Sequence, residues 1–155
     1  MNSKIFEKYK ELQERFGLPQ LNELKETFNF DIEKEEDLFD QIRTEISEKI
    51  FDFTEKLIEP VIGGSDSFCC LFEQDMVTEK DRNELFMLYK KIQVLKWENN
   101  MLAMKPNEKL TARWIQKAWD LWNSELEDNL TMLCKKLSNC WGNLTVENQK
   151  TYYHG

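Results

Sequence analysis

Apolar residues recur at spacings of three and four along most of the chain, the period of a helix with one buried side. Between Ser3 and Phe16 the stripe is Ile5, Phe6, Tyr9, Leu12 and Phe16; Gly17 and Pro19 then supply a stop. A short second helix carries Leu21, Leu24 and Phe28 on one side, and Asn29-Phe30-Asp31 breaks it. A third helix is expected to start within the acidic run Glu33 to Asp37, whose carboxylates suit a positive helix N-terminus. It continues through Phe39, Ile42, Ile46, Ile50, Phe53, Leu57 and Val61 to a break at Gly63-Gly64-Ser65, with Pro60 in its last turn. Residues 66–77 are hard to read; the apolar segment Ser67 to Phe72 is either a short helix or a loop tucked over the core.

The stretch from about Glu79 to Met104 departs from this pattern. Thr78, with Asp81 three residues on, resembles a capping arrangement at its start. Leu85, Leu88, Tyr89, Ile92, Leu95 and Leu102 then fall on one face of a helix. Phe86, Met87, Val94, Trp97, Met101 and Met104 fall on the opposite face. A helix that is apolar on two sides is either buried between neighbours or holds a subunit interface. Lys105-Pro106-Asn107 ends it. A last helix begins between Glu108 and Thr111 and runs to about Trp141, with Ile115, Trp119, Trp122, Leu126, Leu133 and Leu137 in one stripe. Trp114 falls outside that stripe, on a line with Leu121 and Met132. Those residues either cover another part of the same bundle or form an exposed partner patch. The expected fold is all-α: a bundle of four or five helices in a single domain over residues 1–155. The two-sided helix (about 79–104) sits near its centre, and residues 142–155 form a frayed polar tail.

Composition agrees. A chain of 155 residues, 41% hydrophobic and 32% charged, can bury a core without a metal or a disulfide. Five glycines and three prolines are too few for a turn-rich β fold. The net charge of −8 is uneven: residues 1–78 hold 9 Lys and Arg against 19 Asp and Glu, whereas residues 79–155 hold 12 against 10. The first half repels phosphate, so nucleic acid is a disfavoured partner. Lys105, Lys109, Arg113 and Lys117 recur every four residues but form no dense run. No basic-then-apolar start marks a signal peptide, and no apolar stretch is long enough to span a bilayer. A cytoplasmic protein with reduced cysteines and no membrane association is expected.

Candidate chemistry is thin. The single histidine, His154, lies beside the C-terminus, which excludes the paired-histidine zinc and di-iron patterns. Cys69 and Cys70 are adjacent, while Cys134 and Cys140 differ by about 240° around a helix and cannot easily face one ion. No phosphate-binding loop, dinucleotide fingerprint or EF-hand loop occurs. No catalytic, cofactor or metal residue is therefore assigned. The expected role is non-enzymatic: a helical module binding a protein partner or a second copy of itself. The candidate partner-binding residues are Phe86, Val94, Trp97, Met101, Trp114 and Leu121. The alternatives are a small-molecule binder or enzyme with a pocket between helices, and an acidic protein that associates with nucleic acid or mimics it.

Overall fold

The stripes become helices wherever a start and a stop signal flank them. A computed structural model describes residues 3–32, 36–63 and 67–144, and among these it is all-α with no strand. Helix α1 spans Ser3–Phe16 and ends at Gly17, whose φ of 67° is the left-handed conformation a glycine adopts without strain. Helix α2 spans Leu21–Phe28 and ends in the same way at Asn29, φ 52°. Helix α3 spans Leu38–Phe53 and begins later than expected, because Asp37 is itself left-handed (φ 53°) and cannot continue a helix backwards. Glu36 and Asp37 form a turn, and residues 33–35 of the acidic run lie outside the described residues.

Pro60 leaves a mark on this rod. A π-helical turn over Thr54–Ile58 joins α3 to the short α4, Glu59–Ile62. Glu59 N–H donates to the Thr54 carbonyl, five residues back. The wider turn lies just where the proline lacks a donor and its ring crowds the preceding turn. Helix α5, Phe68–Met76, resolves the unreadable segment as a helix, capped by the Ser67 hydroxyl accepting from Cys70 N–H at 3.3 Å. Thr78 caps α6, Glu79–Met104, by accepting from Asp81 N–H at 3.2 Å. Asn107 caps α7, Glu108–Leu121, through Leu110 N–H at 2.9 Å. A second π-helical turn, Trp122–Leu126, joins α7 to α8, Glu127–Gly142. Helix α8 ends at Gly142, and residues 145–155 of the expected tail lie outside the described residues.

Three of these elements form the centre: α3, α6 and α7 each pack against the other two. The α6–α7/α8 pair is an antiparallel hairpin. Its links run Glu98 to Lys117, Lys91 to Glu125 and Asp81 to Lys136, the partner number rising as the α6 number falls. Arg43 to Asn99 and Glu59 to Tyr89 order α3–α4 against α6 in the same antiparallel sense. The core holds Ile42, Ile46 and Ile50 from α3, Ile92 from α6, and Ile115 and Ala118 from α7, all completely buried. Helices α1 and α2 cover one side through Tyr9, Leu24 and Phe28.

Candidate interaction surface

Helix α6 buries one face only. Leu85, Leu88, Ile92, Leu95 and Leu102 point into the core. The opposite face is not sandwiched by a neighbouring element: Phe86, Met87, Val94, Trp97, Met101 and Met104 are all exposed, Trp97 by 67% and Met104 by 79%. This exposed row is interrupted by Lys90. Contiguous apolar patches larger than a few hundred Å² are rare on soluble monomers and mark interaction sites. The spacing is regular. Met87, Lys90, Val94, Trp97, Met101 and Met104 follow one another at alternating steps of three and four, the seam of a coiled coil.

The rim of this face is cationic. Lys90 on the seam, Lys105 at the end of α6 and Arg113 on α7 form no ion pair among the described residues. The carboxylates of α6 are engaged elsewhere: Asp81 with Lys136, Glu84 with Lys80, and Glu98 with Lys117 at 2.6 Å. The bonds from Lys136 and Thr78 hold the Asp81 carboxyl below its usual range. Glu79, in the first turn, is the carboxylate left on the open arc. A cleft of about 380 Å³ lies at the C-terminal end of the seam, lined by Met101, Leu102, Leu110 and Trp114, by Lys105 and Arg113, and by the Glu98–Lys117 pair. A second cleft, of about 280 Å³, runs along the N-terminal half of α6 between Leu85 and Met132.

The six residues nominated from sequence separate into two groups. Phe86, Val94, Trp97 and Met101 share the open face of α6. Trp114 and Leu121 do not join them as surface: they are 1% and 9% exposed, and Trp114 Nε1 donates to the Leu95 carbonyl at 2.9 Å. Of the second stripe, Trp114 packs on the inner side of α6, the first of the two arrangements expected, Leu121 is buried, and Met132 stays 68% exposed. Sequence reasoning passed over Leu110, which is 49% exposed beside the cleft. Its position at the start of α7, next to Arg113 on the following turn, was the available signal.

Other chemistry stays dispersed. Lys49 donates to the Thr27 carbonyl at 2.6 Å with its ammonium over the Trp122 and Phe28 rings, and burial lowers its pKa. Trp122 Nε1 is a buried donor with no acceptor among the described residues. The four cysteines are free, Cys69 and Cys134 exposed and the other two half-buried. Among the described residues no cluster of three or more His, Cys, Asp or Glu could hold a metal ion. No described helix is long and apolar enough to cross a membrane. His154 lies outside the described residues. No known protein family matches the chain, and neither the curated proteins nor the solved structures give a match.

Proposed function

We propose that this protein is a non-enzymatic helical interaction module that docks another protein chain along the outer face of α6. One observation carries the reading: a helix whose inner face already completes the core carries a second apolar face in solvent. A helix needs only one such face to fold, so the second demands another occupant. Trp97, at the middle of the seam, is the residue on which binding is expected to depend most, since tryptophan is enriched among the residues that dominate interface energetics, and Val94 beside it is where a charge would intrude on the seam. The reading includes a cytoplasmic location, which the free thiols suit.

The test is native mass spectrometry of the chain purified gently from its own source, beside Val94→Glu and Trp97→Glu. A mass above the bare 18.7 kDa chain is expected for the unmodified protein. Both variants should fall to the bare mass with unchanged melting. An assembly that survives both substitutions would remove α6 from the explanation.

A further inference from the structure

We infer that the occupant of the α6 face is an acidic amphipathic helix of a different protein, lying along the seam with its end seated in the α6–α7 cleft. The inference rests on the docking reading and names the chemistry of the partner. Three observations point the same way. First, the alternating steps from Met87 to Met104 are the geometry by which one straight helix receives another, since a partner helix meets the seam at each step. An extended strand or a flat surface has no matching period. Second, Met87, Met101 and Met104 give the seam flexible, polarisable side chains, which suit a helical guest whose apolar residues they can mould around.

Third, the charge selects the guest. The protein as a whole is −8, yet Lys90 on the seam and Lys105 and Arg113 at its C-terminal end have no ionic partners among the described residues. Leaving cations uncompensated around an apolar strip favours a guest that brings carboxylates on the flanks of its own apolar stripe. A second copy of this chain fits badly. In parallel, Lys90 would meet Lys90, and in either direction both copies bring the same unpaired cations, Lys90, Lys105 and Arg113, to a shared face whose own open carboxylate is Glu79. At the cleft, Met101, Leu102 and Leu110 offer an apolar seat, Lys105 and Arg113 line it, and the carboxylate that lines it, Glu98, is held by Lys117 at 2.6 Å. An apolar side chain followed by a carboxylate fills both.

The experiment titrates the full chain with two synthetic helices of about three heptads. Both carry leucine at the seam positions; one has glutamate and the other lysine at the flanks. The glutamate helix is expected to bind at least ~10-fold more tightly at low salt, with the advantage shrinking as salt rises. Lys105→Glu with Arg113→Glu should cancel that preference, and Val94→Glu should remove binding with no change in melting. Equal binding of both helices, or a preference for the lysine helix, overturns the inference. So does a dimer in sedimentation velocity that Val94→Glu dissolves, which makes the occupant a second copy. Binding to phosphatidylglycerol vesicles without binding the glutamate helix overturns it in favour of a membrane surface. If Val94→Glu strips a partner from the native protein while the glutamate helix shows no advantage, the acidic guest fails and the docking reading stands. If the native assembly ignores Val94→Glu, both fail.

Discussion

Trp114 and Trp122 lie about two turns apart on the α7/α8 rod, both buried, and their indole N–H groups meet opposite fates. Trp114 Nε1 reaches the Leu95 carbonyl across the hairpin at 2.9 Å, while Trp122 Nε1 has no acceptor among the described residues. A buried hydrogen bond contributes about 1 kcal/mol net, whereas a buried donor without a partner costs ~1–3 kcal/mol. Replacement by phenylalanine removes indole volume at both sites and keeps an aromatic ring, so the N–H is the main difference set against the ring contacts of Trp122. Trp122→Phe is expected to be the milder change by ~1–2 kcal/mol in urea unfolding, because it also removes a desolvated donor. An equal loss at both positions would mean that packing against Phe28 and Phe53 outweighs the hydrogen-bonding difference. This contrast was illegible in the sequence. The helical period gave the angle of Trp114 relative to Ile115. It could not say that the second arc would be covered by α6, because an angle on one helix does not reveal how many neighbours that helix has.

Element by element, legibility followed the strength of the local signals. Helix α6 occupies Glu79–Met104 as its cap, period and proline break predict, and α1 stops at the glycine that the left-handed turn requires. The start of α3 was misplaced because carboxylates suit both a helix N-terminus and the turn before it, and the backbone of Asp37 decides between them. The π-helical turns left no sequence trace beyond Pro60, since they alter the bonding pattern without moving the apolar stripe far. The double stripe of α6 was visible from the start, but not whether its second face lay inside the bundle. The two faces now make separate predictions. Ile92→Ala deletes a completely buried side chain and should cost ~2–5 kcal/mol. Val94→Ala, two residues along and 58% exposed, should change the unfolding free energy by no more than ~0.5 kcal/mol. A large loss at Val94 in the monomer would show that the outer face is packed after all.

Across the whole molecule, α1 and α2 form a corner against the centre, and a hydrogen bond within that corner titrates. Gln116 on α7 donates to the Phe16 and Gly17 carbonyls at 2.6 and 3.1 Å, and Arg15 pairs with Glu108 at 2.9 Å. Tyr9 is 1% exposed and donates its hydroxyl to the Pro19 carbonyl at 2.7 Å, tying α1 to the start of α2. Burial, and after it the nearby Glu23 carboxylate, raise the Tyr9 pKa well above its usual value. The folded state therefore resists ionisation of this phenol more than the unfolded chain, where it titrates near ~10. Its contribution is complete below about pH 10 and is lost as pH rises through the folded value, since ionisation then favours the unfolded chain. Unfolding free energy measured in urea from neutral pH upward should fall along an alkaline limb beginning near ~pH 10. Tyr9→Phe should cost about 1 kcal/mol at neutral pH, from the lost bond to Pro19, and should flatten that limb. The two effects have opposite signs above the turning point, so the curves of the two proteins should converge as pH rises. Curves that stay parallel would assign the alkaline loss to Tyr89 instead, whose phenol is also raised, by burial and by its bond to the Glu59 carboxylate.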